Sequence, residues 1–409
     1  MTKIPTITLT QLGGLAQRSP ILIFGAGAVG ELLLRLCEEA SIPISGFVDN
    51  NSGLAGQLRH GLTVYPPARA LADFGDVPVI VSAADIGDIV DQLQALGFTT
   101  ILPAGPLVRH VDYSRYSLSA GEDFIDYTAT TCALCHDAYL NTESIFLRSV
   151  DIVITERCSL KCHDCANLMQ YYEKAENCDL DEIRGSITSL CSVVDGINEF
   201  RVIGGEPFMN KEIDKVLETL IPENKVRKIV IYTNGTIIPR PELIPLLADP
   251  KVLMLVTDYG PLSPRMDKLL TFMETNRIAY YRRPAENWTD CASIVKHDRE
   301  PEAHRQIFRD CCCKNLFTLM SGKLFRCPFA ANADRLGAVP DLPNDYVDIL
   351  APNDHATLKA AVKTLIFEKK SLDVCDYCDG RPLNAPHITP GIQVKQPLKY
   401  VKLAARTTL

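Results

Sequence analysis

Short, largely apolar runs alternate with amphipathic stretches along the first hundred residues. Pro20–Phe24, Ile44–Val48, Val77–Ser82 and Phe98–Pro103 read as buried strands, too short for core helices. Glu31–Ala40 and Ile86–Leu96 repeat their apolar residues at helical spacing. Alternating strand and helix predicts a parallel sheet. Gly25-Ala-Gly27-Ala-Val-Gly30 joins the first strand to the first helix, and Asp49 closes the second strand. Glycines there let backbone approach a ligand, and a helix start offers free N–H groups to a phosphate. Gly25, Gly27, Gly30 and Asp49 are therefore candidate ligand contacts.

A second alternating block follows. Strands are expected at Asp151–Thr155, Glu199–Ile203, Lys228–Tyr232, Val252–Val256 and Ile278–Tyr281. Helices are expected at Leu180–Val194, Lys211–Leu220, Pro241–Leu247 and Arg265–Thr275. The series predicts a partial parallel α/β barrel, with functional groups on loops after the strand ends. Further on, Asn315–Met320 and Lys323–Arg326 read as a β-hairpin around Gly322, followed by a helix at Ala356–Phe367.

Composition narrows the class. With 409 residues, 46% hydrophobic and 22% charged, the chain reads as a soluble protein of two or three domains. No apolar run has membrane length, and the first residues lack the apolar core of a secretory signal. A net charge of −8 without a long basic run argues against nucleic acid as the main partner. The 15 cysteines are the anomaly. In a cytoplasmic chain, which is the expectation here, clustered cysteines point to metal ligation or redox chemistry rather than disulfides.

Three of them form Cys158-x3-Cys162-x2-Cys165 on the loop leaving the first strand of the second block. Three thiolates can wrap one face of a cubane and leave one iron open; zinc is the bland alternative. Gly204-Gly205-Glu206-Pro207, Thr233-Asn234-Gly235-Thr236 and Thr257-Asp258-Tyr259 follow the next three strands. In this order the motifs resemble the radical S-adenosylmethionine (SAM) superfamily. The resemblance implies a [4Fe-4S] cluster on Cys158, Cys162 and Cys165 with SAM at the open iron. It implies SAM contacts from Gly204, Gly205, Glu206, Pro207, Thr233, Asn234, Thr257 and Asp258, Glu206 lying in the turn that holds the methionyl amino group. It also implies reductive cleavage of SAM to a 5′-deoxyadenosyl radical, which abstracts hydrogen from substrate. One departure stands out: the residue before the third cysteine, usually aromatic in the family, is Asp164, with His163 beside it.

Cys311-Cys312-Cys313, Gly322-x4-Cys327 and Cys375-x2-Cys378 resemble the auxiliary-cluster domain of SPASM/twitch enzymes, the shorter twitch form fitting better. That implies a second [4Fe-4S] cluster, its first ligand open among Cys311, Cys312 and Cys313; zinc is again the alternative. A cluster beside the substrate implies net oxidation: one hydrogen atom to the adenosyl radical, one electron to the cluster, one proton released. The N-terminal strand-loop-helix pattern is Rossmann-like. With ILIFGAGAVG, GFVDNN and GLTVYPP it resembles the nucleotide-sugar-binding domain of PglD-type acyltransferases. Cys132-Ala-Leu-Cys135-His136 reads either as half a metal site or as a buried structural set.

The expected architecture is α/β throughout. It comprises a Rossmann-like nucleotide or nucleotide-sugar-binding domain over 1–108 and a connector over 109–149. A partial (βα)6 radical SAM barrel spans 150–303, a hairpin-plus-helix twitch domain 304–385 and a tail 386–409. The expected activity is a radical SAM oxidoreductase acting on a sugar or sugar nucleotide by oxidation, dehydration or epimerisation, fed by a donor such as flavodoxin or ferredoxin. Peptide modification, or a non-catalytic metal-cluster scaffold with a nucleotide-binding domain, are the alternatives.

Overall fold

The computed structural model describes residues 4–141, 143–286, 288–382 and 385–402. They divide into two compact units that part between Arg148 and Ser149.

In the first unit, β1 (Leu22–Phe24), β2 (Gly46–Val48), β3 (Leu58–Arg59), β4 (Leu62–Tyr65), β5 (Val79–Val81) and β6 (Ile101–Pro103) form one sheet. Its order is β3-β4-β2-β1-β5-β6. β1 runs parallel to β2 and β5, β2 to β4 and β5 to β6, while β3 runs antiparallel to β4. Successive strand residues enter opposite cores: Ile23, Phe47, Ile80 and Leu102 on one face, Leu22, Phe24, Val48, Val79 and Val81 on the other. Burial on both faces explains why these strands read as unbroken apolar runs. Around the sheet lie α1 (Leu9–Ala16), α2 (Ala28–Glu39), α3 (Pro67–Phe74), α4 (Ile86–Leu96), α5 (Gly105–Val108) and α6 (Glu122–Leu140). α2 begins three residues before its apolar pattern, because Gly30, a poor helix former, sits inside its first turn.

Residues 109–149, read as a connector, thus carry the 19-residue helix α6. Its Cys132, Cys135 and His136 are buried. The Gly105 N–H donates to His136 Nδ1 at 3.0 Å, so the ring proton lies on Nε2, which donates to the Ala83 carbonyl at 2.9 Å. Both nitrogens are committed to backbone, and burial pushes the Cys135 thiol up to about 12. This set joins α6 to the carboxyl ends of the strands.

Burial lowers the His136 pKa to about 4 against an ordinary 6.5. The folded state holds it neutral while the unfolded chain takes a proton below 6.5. Its contribution is therefore full above pH 6.5 and drains away as pH falls toward 4. Hydrogen-exchange opening free energies for peptides within 122–140, corrected for intrinsic rates, should drop by about 2 kcal/mol between pH 6.5 and 5. In His136→Gln they should start lower and stay level. A flat wild-type profile would contradict the neutral tautomer.

The second sheet has eight strands: β7 (Phe146–Val153), β8 (Gly196–Ile203), β9 (Val226–Thr233), β10 (Val252–Asp258), β11 (Tyr280–Pro284), β13 (Phe317–Met320), β14 (Lys323–Phe325) and β15 (Tyr346–Asp348). A separate pair joins β12 (Trp288–Thr289) to β16 (His387–Ile388). The order is β11-β10-β9-β8-β7-β13-β14-β15. β8, β9, β10 and β11 pair in parallel. β13 also runs parallel to β7, with Phe317 opposite Val150, so the expected hairpin continues this sheet. The helices are α7 (Leu180–Val193), α8 (Ile213–Leu220), α9 (Ile244–Leu247), α10 (Met266–Thr275), α11 (Pro301–Asp310), α12 (Pro328–Leu336) and α13 (His355–Phe367). The fold is mixed α/β with parallel sheets. Among the described residues no helix is long and apolar enough to cross a membrane.

Candidate functional site

Three loops meet at the carboxyl ends of β7, β8 and β9. The first carries Cys158, Cys162 and Cys165. Its entry is fixed by Glu156, which pairs with Arg335 at 2.7 Å and accepts from the Glu176 N–H at 2.9 Å. Its exit is fixed at Leu168, fully buried and in the left-handed region at φ 58°. Such backbone costs a non-glycine residue energy and persists where packing imposes it.

The second loop is Gly204-Gly205-Glu206-Pro207. The Gly205 N–H donates to the Thr155 carbonyl at 2.9 Å and the Glu206 N–H to the Arg157 carbonyl at 2.8 Å. A Cβ on Gly204 would lie 2.2 Å from the Thr155 oxygen, and one on Gly205 would lie 2.3 Å from the Arg157 oxygen and 2.7 Å from Cys158 Cβ. Only glycines let this turn press against the cysteine loop.

Glu206 has no exposed surface. Its carboxylate accepts from Thr233 Oγ1 at 3.0 Å, the Asn234 N–H at 2.8 Å and the Phe208 N–H at 3.2 Å. Burial pushes its pKa up to about 7 against those hydrogen bonds. The third loop therefore hangs on Glu206. Asn234 in turn donates its side-chain N–H to Ser159 Oγ at 3.1 Å and to Cys158 Sγ at 3.6 Å.

The three thiols feel one another. Burial pushes the Cys162 pKa up to about 11, with a hydrogen bond from Gln393 pulling the other way and Cys165 adding to the rise. Cys158 and Cys165 are pushed up by burial as well. His163 Nδ1 bonds to Asp164 at 2.7 Å. Tyr259 stands beside the cysteines, its hydroxyl held neutral by burial and then by their charge. Its ring meets Trp288 edge-on, 6.0 Å between centroids. Asp258 accepts from Arg282 Nε at 3.0 Å and from the Gly260 N–H at 2.8 Å, and its pKa is lowered chiefly by Arg282. Pro207 is buried, and Thr257 lies half-buried at the end of β10.

On one face of the second sheet, Asp151 and Arg201 form a buried ion pair at 2.6 Å, with the guanidinium 4.6 Å from the Tyr232 ring centroid. Neither the ion pair nor the Glu156–Arg335 anchor carries a sequence signal, because each joins segments far apart in the chain.

The C-terminal cysteines also gather. Cys327 caps α12 and accepts from the Ala330 N–H at 3.4 Å. Its thiol is pushed up by burial, then by Cys375, Cys378 and Cys313. Cys311 also feels Cys327. Cys312 is exposed, and its thiol is pushed up chiefly by its contact with Cys313. Arg299 Nη1 donates to the Cys375 and Cys378 carbonyls at 2.7 and 3.0 Å. No three Cys, His, Asp or Glu side chains among the described residues are grouped as ligands of a single metal ion.

In the first unit, Gly25 sits at φ 104°, and a Cβ on Gly30 would lie 2.0 Å from the Gly25 oxygen. A Cβ on Gly27 meets nothing within 4 Å. Asp49 accepts from the Ala26 N–H at 2.9 Å through one oxygen, which braces the glycine loop, and from the Asn51 N–H at 2.8 Å through the other, which braces its own turn. A surface cavity of about 660 Å³, lined by Thr10, Gln17, Ser41 and apolar neighbours, lies at the far end of α2 from that loop.

Residues 152–258 match the Radical SAM superfamily model, so the chain carries a Radical SAM superfamily domain. Similar curated proteins include the GTP 3′,8-cyclase of Clostridium acetobutylicum, 34% identical over 97 residues, covering 23% of this chain and 30% of that one. That of Stenotrophomonas maltophilia is 31% identical over 88 residues, covering 21% and 26%. The chain thus spans under a third of these relatives' length. Among solved structures, BtrN in complex with AdoMet and 2-DOIA aligns at TM-score 0.37 and 14% identity, covering 58% of this chain and 94% of that one. AdoMet-bound anSMEcpe aligns at 0.28 and 19%, covering 34% and 43%. Streptococcus suis SuiB bound to precursor peptide SuiA aligns at 0.28 and 17%, covering 48% and 44%.

Gly205→Ala should lower stability by about 1–3 kcal/mol, because the new methyl must displace backbone. Gly27→Ala, with open space, should stay within about 1 kcal/mol of wild type. Equilibrium denaturation measures both; equal small effects would show that the glycine turn does not set the distance to Cys158.

Proposed function

We propose that this protein is a radical SAM oxidoreductase acting on a sugar or sugar nucleotide. The observation that carries the reading is the three-thiol loop held against Gly204-Gly205-Glu206 by backbone hydrogen bonds, with Asn234 of the third loop reaching Cys158 Sγ. The three-thiol donor set fits a [4Fe-4S] cluster, which Cys158, Cys162 and Cys165 would hold. When bound, cluster and SAM supply one-electron cleavage of the sulfonium and hydrogen abstraction from substrate.

The chain's own residues do the rest. Glu206 fixes the turn whose backbone faces the cysteine loop. Thr233 and Asn234 tie that turn to the end of β9, and Asp258, straightened by Arg282, closes the end of β10. Tyr259, backed by Trp288, offers the aromatic face that Asp164 does not. The Asp151–Arg201 pair and Tyr232 give the sheet face a polar, hydrogen-bonding character suited to a hydroxylated substrate. The second cluster would be held by Cys327, Cys375, Cys378 and either Cys311 or Cys313. The open approach to Gly27 suits a nucleotide, which the first unit is proposed to bind.

Anaerobically reconstituted wild type should release 5′-deoxyadenosine from SAM with a low-potential reductant, and Cys158→Ala should release none above background. Equal release from both would sink the reading. The triple variant Cys158/Cys162/Cys165→Ala should retain about four irons per chain on the C-terminal set. Zinc in their place would refute the second cluster. Sugar nucleotides should raise the melting temperature of wild type and not of Gly27→Val; no shift in wild type would refute the nucleotide site.

A further inference from the structure

Residues beyond β16, read from the sequence only as a tail, form a strap across the cysteine loop. The His163 N–H donates to the Ile392 carbonyl, the Val394 N–H to the Lys161 carbonyl and the Lys161 N–H to Gln393 Oε1, each at 2.7 Å. Gln393 pairs with Cys162 as an antiparallel bridge. The strap starts beside β12, passes Tyr259 at Gly391 and reaches Gln170, where the Leu398 N–H donates to its carbonyl at 2.9 Å. Tyr400 ends it, its hydroxyl donating to the Leu336 carbonyl at 2.9 Å and its ring 5.6 Å from Tyr171.

The Gln393 head group is fully used. Oε1 accepts from Lys161, and Nε2 donates to the Gly391 carbonyl at 2.8 Å and to Cys162 Sγ at 3.2 Å. The strap needs only its backbone bonds to lie where it does. The amide aimed at sulfur is a further feature, and it parallels the longer contact of Asn234 with Cys158 at 3.6 Å.

We propose that Gln393 is a positioning residue that tunes the redox potential of the cluster bound through Cys162. This rests on the radical SAM reading above. The reduced cluster holds one more electron, taken from an external low-potential reductant, without a proton. That added charge spreads onto the thiolate sulfurs. An N–H dipole with its positive end at Cys162 Sγ favours the reduced form, and hydrogen bonds to ligand sulfurs are among the factors that set such potentials. Gln393 therefore makes the cluster easier to reduce than the cysteine loop alone would.

The test is an EPR-monitored redox titration of the whole anaerobically reconstituted chain, following the signal that changes when SAM is added. Gln393→Leu removes the donor, and Gln393→Glu removes it while keeping the acceptor for Lys161. Both should bind as much iron as wild type, and both should show a more negative midpoint. Hydrogen exchange over 388–400 checks that the strap stays down. A SAM-responsive signal whose midpoint is unchanged in both variants, with the strap protected, overturns the role of Gln393. No SAM-responsive signal in wild type overturns the radical SAM reading instead.

Discussion

Glu206 is a carboxylate without exposed surface, and it gathers donors from two loops: Phe208 in its own turn, and Thr233 and Asn234 after the next strand. A buried carboxyl without partners costs several kcal/mol, so these bonds are what allow the group to be there. In return they lock the loops to one another. The backbone of the same turn bonds to Thr155 and Arg157, and Asn234 reaches Cys158. The cysteine loop, the glycine turn and the asparagine loop thus form one hydrogen-bonded body. Disturbing any member moves the thiols.

The glycines belong to this constraint rather than to flexibility. Side chains at Gly204 or Gly205 would occupy the space of the Thr155 and Arg157 carbonyls. The bonds that hold the loops together exist only at a separation that excludes a Cβ. The same logic operates at Gly30 in the first unit, where the start of α2 lies against the Gly25 carbonyl. There the middle glycine, Gly27, faces open space, while Gly25 makes the turn at φ 104° and Gly30 packs against the Gly25 carbonyl.

Much of this was legible in the sequence because it is local. The apolar runs at 20–24 and 77–82 are strands because both sheet faces are covered, and the motif spacing marked the strand ends at 158, 204 and 233. What was not legible is what long-range contacts decide. The tail at 386–402 has no periodicity, and nothing in it announces that Gln393 lies on Cys162. Cys132, Cys135 and His136 read as half a metal site or as packing until Gly105 and Ala83 are seen to take both imidazole nitrogens. Residues 109–149 looked like a connector because the helix they contain buries an irregular mixture of Thr, Cys and His as well as aliphatic residues. The hairpin at 317–325 was expected, but its parallel pairing with β7 is a matter of register between segments far apart in the chain.

That register decides how the two cysteine groups are arranged. The loop with Cys158 leaves the carboxyl end of β7. Cys313 precedes β13, which runs parallel to β7, and so belongs to the amino end of the same two strands. β14 runs back antiparallel, with Phe325 opposite Thr318, and returns Cys327 to that end. The hairpin is therefore what brings Cys327 back to Cys313, and the burial of Cys327 together with the charges of Cys375, Cys378 and Cys313 reflects that meeting. Between the two ends, on the strands themselves, stand Asp151 and Arg201, and each senses the charge of Cys313. A buried ion pair is a weak stabiliser, since desolvation offsets most of its attraction. Its place between two thiol groups, on a sheet face that also carries Tyr232, is what the proposed function would use as polar lining for a substrate held between them.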